Sequence, residues 1–83
     1  MKILYFAWLR AQIGMAEDTV DLPKEVTTVD QLLEFLISRG EPYSSALADR
    51  NVIRVALDQE YVKGDAALKD AKEVAFFPPV TGG

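Results

Sequence analysis

One stretch limits what this chain can build more than any other. Val29, Leu32, Leu33, Leu36 and Ile37 recur at helical spacing, and this is the one long helix that the 83 residues predict. Thr28 and Gln31 stand where a capping box would start it, and Gly40 lies just past its end. A lone helix with one apolar face must bury that face against something else, so the remaining segments have to supply a sheet.

Strand-like segments lie on both sides of it. Ile3 to Leu9 is rich in β-branched and aromatic residues and is predicted as a first strand, broken by the polar stretch around Gly14. Asp18 to Leu22 alternates polar and apolar residues as a second strand, and Pro23 ends it. After the helix, Pro42 opens a short helical turn in which Tyr43 and Leu47 share a face. Val52 to Leu57 is the next strand, Asp58-Gln59 a turn, Tyr61-Val62 a short partner closed by Lys63-Gly64-Asp65, and Glu73 to Phe77 the last strand. Pro78 and Pro79 stop it, because neither can donate to a ladder. The order predicts an α+β fold, a mixed β-sheet packed on one main α-helix, as in the ubiquitin-like β-grasp architecture. Residues 1–83 are read as one domain, with 78–83 as an extended tail.

Sheets covered on one side alternate apolar with polar, and here the first and last predicted strands do not. In the first predicted strand Ile3, Tyr5, Ala7 and Leu9 point one way and Leu4, Phe6 and Trp8 the other, and both sets are apolar. Val74 and Phe76 oppose Ala75 and Phe77 in the same manner. With the helix on the first set, Leu4, Phe6, Trp8 and Phe77, joined by Ala56 and Tyr61, would form an aromatic patch for a partner protein. The competing expectation is that the loop from Ala67 to Lys72 folds over this patch as ordinary core.

Composition narrows the chemistry. The chain has no cysteine and no histidine, which removes disulfides, a thiolate nucleophile and the usual general base of a hydrolase. Ser38, Ser44 and Ser45 therefore lack an activating partner, and no aspartate-rich loop has calcium-site spacing. Thirteen acidic residues against nine basic give a formal net charge of −4, which disfavours nucleic acid as a partner and favours a basic protein surface. The apolar run near Lys2 is short for a signal peptide, lacks an A-x-A-like cleavage site, and cannot span a bilayer. The expectation is a cytoplasmic protein that does not enter a membrane.

The tail Pro78-Pro79-Val80-Thr81-Gly82-Gly83 starts stiff and finishes without side chains. Five residues from Pro79 onward reach roughly 17 Å when extended, deep enough for another protein's pocket. Glycine at the tip lets backbone pass where a Cβ would not fit and leaves the α-carboxylate open to attack. A carboxylate is a poor electrophile until it is activated, and no G-x-x-x-x-G-K-[ST] phosphate loop is present to bind the nucleotide for that step. Activation falls to a separate enzyme.

Ala75-Phe76-Phe77-Pro78-Pro79-Val80-Thr81-Gly82-Gly83 resembles the C-terminal signature of molybdopterin synthase small subunits. Tyr5-Phe6-Ala7, Leu9-Arg10 and Gly14, the segment Val55 to Val62, and Leu68-Lys69-Asp70 extend the resemblance over nearly the whole chain. The resemblance implies a β-grasp sulfur carrier with a thiocarboxylate on Gly83, formed after a partner enzyme adenylates that glycine with ATP and a sulfurtransferase supplies sulfur. It implies that the tail enters the large synthase subunit of a heterotetramer, where cyclic pyranopterin monophosphate receives the sulfur. The carrier would be a non-catalytic, sulfur-donating subunit that binds no cofactor or metal itself. By position, Phe6, Tyr61 and Phe77 fall on the family's interface with the large subunit, and Trp8 joins them by the alternation argument. Ala71-Lys72 departs from a Gly-Asp turn common in the family. Two readings use the same tail differently, a thiamine-type sulfur carrier and a ubiquitin-like modifier that joins Gly83 to lysine. A plain binding module, the third alternative, would need no tail at all.

Overall fold

A computed structural model of the chain describes residues 1–79. Its elements run β1 (Lys2–Tyr5), α1 (Ala7–Ile13), β2 (Glu17–Thr19), α2 (Val29–Ile37), α3 (Tyr43–Ala46), a 3-10 turn (Arg50–Val52), β3 (Arg54–Leu57), β4 (Glu60–Val62) and β5 (Glu73–Phe77). The five strands form one mixed sheet in the order β2-β1-β5-β3-β4. β1 is parallel to β5, and the other neighbouring pairs are antiparallel.

The main helix forms where its spacing places it. Val29, Leu32, Leu33 and Leu36 are buried against the inner face of the sheet, where Ile3, Tyr5, Val55, Val74 and Phe76 complete the core. The Thr28 hydroxyl accepts the Gln31 N–H at 3.3 Å, as a cap should. The reciprocal half of the predicted capping box is displaced by one residue, because the Gln31 carboxamide oxygen accepts the N–H of Thr27 at 2.7 Å instead. Tyr43 and Leu47 share a buried face, as expected for the short second turn.

The first predicted strand is corrected. β1 stops at Tyr5, the backbone turns at Ala7 with φ 55°, and Ala7 to Ile13 is helical. Leu9 and Ile13, four residues apart, enter the core from this helix, and Gly14 ends it in the left-handed region with its N–H on the Arg10 carbonyl. The seven apolar residues from Ile3 to Leu9 therefore divide between a strand and a helix. The second strand is shorter and earlier than expected, since Val20 is buried but lies beyond its end.

The hairpin β3–β4 turns on Asp58 and Gln59, with φ 47° and 72°, the positive pair of a two-residue turn. The Asp58 carboxylate then accepts the N–H groups of Lys72 and Glu73, each at 3.0 Å, which fixes the entry to β5. That link holds the segment containing Ala71-Lys72 without glycine.

Tyr5 carries the one buried side-chain polar atom, among the described residues, that lacks a hydrogen-bond partner. Burial pushes its hydroxyl pKa well up, Tyr43 and Asp18 add to this, and Arg39 opposes it. An acid whose folded pKa is raised gives its full stabilisation below its unfolded value of about 10, and loses it as pH rises toward the folded value. Tyr5→Phe is expected to be more stable at neutral pH by about 1 kcal/mol, since no bond is lost with the hydroxyl. It should also lack the part of the alkaline stability loss that Tyr5 causes. Urea unfolding near pH 7 and near pH 11 checks both expectations.

Candidate functional site: an aromatic face at the root of the tail

The strand register sorts the outer face of the sheet into rows. Leu4, Ala75, Ala56 and Tyr61 lie opposite one another across β1, β5, β3 and β4, and Phe77 lies opposite Arg54 in the next row. Side chains opposite each other share a face, so these residues stand on the side away from α2. Tyr61 is 79% exposed. Its ring and that of Phe77 meet diagonally, with centroids 5.3 Å apart and planes inclined by 44°. Ala56 and Ala75 are 5% and 8% exposed, yet they are outside the core cluster. Small side chains there leave room for the two rings to approach.

Phe6 adjoins this group through the backbone, its N–H donating to the Phe76 carbonyl at 3.1 Å, and its side chain is 48% exposed. Trp8 is 41% exposed but stands on α1 rather than on the sheet. The structure thus brings Tyr61 and Phe77 together, sets Phe6 beside the end of β5, and puts Trp8 on a different element. Alternation along one strand, which grouped Leu4, Phe6 and Trp8, holds for the half-buried Leu4 on β1 but is not what exposes Phe6 and Trp8. The loop from Ala67 to Lys72 does not cover the face. Leu68 is buried in the core with its N–H on the Thr27 carbonyl, and Ala67 bridges to Thr28 at the start of α2.

β5 ends at Phe77, and the half-buried Pro78 and Pro79 follow. The tail therefore leaves the sheet beside Phe6 and Arg54, at the margin of the aromatic face. Val80, Thr81, Gly82 and Gly83, the remainder of the candidate tail, lie outside the described residues. Among the described residues no group of three or more acidic side chains is placed to hold a metal ion. None of their helices is long and apolar enough to cross a membrane. Arg54 and Lys63 join the candidate residues only in the structure, although the alternation Arg54-x-Ala56 and Tyr61-x-Lys63 places both on the aromatic side.

The chain is similar to the molybdopterin synthase sulfur carrier subunit of Haemophilus influenzae, at 35% identity over all of this chain and 99% of that one. With the protein of the same name from Escherichia coli, identity is 36% at the same coverage. A solved structure described as molybdopterin converting factor, subunit 1, from Pyrococcus furiosus superposes with a TM-score of 0.71 at 32% identity, covering 95% of each chain. The fold is thus the α+β grasp read from the sequence. The model of the ThiS family matches residues 3–83, and on that match and these full-length likenesses the chain belongs to the ThiS family.

Proposed function

We propose that this chain is the sulfur carrier of a molybdopterin synthase. The observation that carries this reading is full-length similarity to sulfur carrier subunits, joined to an exposed aromatic face where the tail leaves the sheet. The family's chemistry needs a carboxylate that projects from a rigid body. The described part of this chain supplies the body, and Gly83 is the carrying residue.

In this reading a partner enzyme uses ATP to adenylate the Gly83 carboxylate, because the chain has no phosphate-binding loop of its own. A sulfurtransferase supplies the sulfur that displaces AMP and leaves a thiocarboxylate. Pro78 to Gly82 deliver that group into the large subunit, where cyclic pyranopterin monophosphate takes the sulfur. Phe6, Tyr61 and Phe77 dock on the large subunit, and Trp8 contributes from α1. Rigid aromatic anchors suit that task because they bury much surface at little entropic cost.

The test is an intact-mass measurement after co-expression with the activating enzyme and sulfurtransferase. Replacement of one oxygen by sulfur, absent when Gly83 is deleted, is expected. Amide-linked protein conjugates with no thiocarboxylate would transfer the assignment to a ubiquitin-like modifier.

A further inference from the structure

The outer face carries a second feature beside the aromatic pair. A groove of about 540 Å³ lies along the β3–β4 edge, and Tyr61, Phe77, Arg50, Arg54 and Lys63 are among its lining. Three cations meet there on a chain whose net charge is −4. Arg50 is committed internally, paired with Asp30 at 3.4 Å and donating to the carbonyls of Ile53 and Gly64. Among the described residues Arg54 donates only to backbone, at the carbonyls of Asn51, 3.2 Å away, and Ile53, 3.5 Å away. Among the described residues neither Arg54 nor Lys63 has a carboxylate within ion-pair distance.

Among the described residues the backbone beside these cations is also unpaired. β4 is the outermost strand, and Leu57 faces Glu60 across the two-residue turn, so those two residues exchange hydrogen bonds as the closing pair of the hairpin. The pattern alternates, and the N–H and carbonyl of Tyr61 therefore point away from β3. Continuing the register sets Lys63 opposite Arg54, so these two cations stand side by side on the face that holds Tyr61.

We propose that this edge receives an extended acidic segment of a partner protein, which pairs with the backbone of Tyr61 and lays carboxylates against Arg54 and Lys63. The groove shares Tyr61 and Phe77 with the docking face and so deepens that reading, adding a charge requirement that selects among partners. Edge pairing supplies main-chain hydrogen bonds, and alternate side chains of the segment supply specificity.

The proposal is tested on the full chain without any sulfur chemistry, so its failure is separable from failure of the carrier assignment. Amide spectra of the labelled chain are followed during titration with the peptide acetyl-Glu-Thr-Glu-Val-Glu-Thr-Glu-amide. Saturable shifts are expected at Arg54, Tyr61, Lys63 and the end of β5. Arg54→Glu combined with Lys63→Glu should weaken binding at least about tenfold, with the remaining amide spectrum unchanged. Addition of salt should weaken binding to the unmodified chain. Equal shifts from the peptide with Lys in place of Glu, the same shifts from inorganic phosphate alone, or no shifts at millimolar peptide would each overturn the proposal.

Discussion

Deleting Gly83 is expected to reduce sulfur transfer by at least about a hundredfold while leaving the unfolding midpoint unchanged. The shortened chain still ends in a glycine carboxylate, but that group stops about 3.5 Å short of where both the activating enzyme and the large subunit need it. Catalysis at such sites depends on positioning, and smaller displacements already cost rates of this order. Appending one residue after Gly83 should do equal damage, since it buries the reactive carbonyl within a chain. Both variants keep Tyr61, Phe77 and every core residue, so affinity for the large subunit should persist. Sulfur transfer at the normal rate by either variant would reduce the terminal glycines to a flexible end.

The neighbours Phe76 and Phe77 should behave as opposites. Phe76 is fully buried and stacks on Tyr5 with ring centroids 6.1 Å apart. Phe76→Ala should lower stability by about 3–5 kcal/mol, through lost burial plus the cavity left between sheet and helix. Such a loss is a large part of the roughly 5–15 kcal/mol that holds a small domain together. Phe77 is partly open and leans on Tyr61, so Phe77→Ala should change stability little. Its effect should fall on the large subunit, where loss of a hot-spot aromatic costs about 2 kcal/mol or more. Urea unfolding and titration calorimetry on both variants check the contrast. A Phe77→Ala protein that unfolds early but binds normally once folded would place that ring in the core instead.

The difference between these two residues was legible in the sequence, because strand alternation alone puts Phe76 with Val74 and Phe77 with Ala75. The same rule failed at the other end of the chain. From Ile3 to Leu9 every residue is apolar or aromatic, so period two and period 3.6 fit equally well over so few positions. The deciding information was further on, in Ile13 four residues after Leu9 and in Gly14, which ends a helix rather than merely interrupting a strand. Phe6 and Trp8 were singled out for their exposure and are exposed, but one precedes a helix and the other rides on it. Nothing in the sequence sets Arg54 and Lys63 apart, since one falls within the predicted strand Val52 to Leu57 and the other in the turn Lys63-Gly64-Asp65. Only the sheet order, which makes β4 an edge, distinguishes them.

The parallel pairing of β1 with β5 bears on how the molecule is made. Lys2 lies beside Glu73 and Tyr5 beside Phe76, so the central ladder joins segments separated by nearly the whole chain. Contacts of such long sequence separation form late, because the intervening loop must first be closed. A nascent chain that has not yet released β5 has no centre to its sheet, and Ile3 and Tyr5 have nothing to lie against on that side. The aromatic face on Tyr61 and Phe77 cannot exist until that strand is in place either, because β5 supplies one of its two rings. A ribosome stalled before the last strand would thus release a product that is unfolded and unable to engage its partners. Formation of the aromatic face is thus coupled by topology to the arrival of β5.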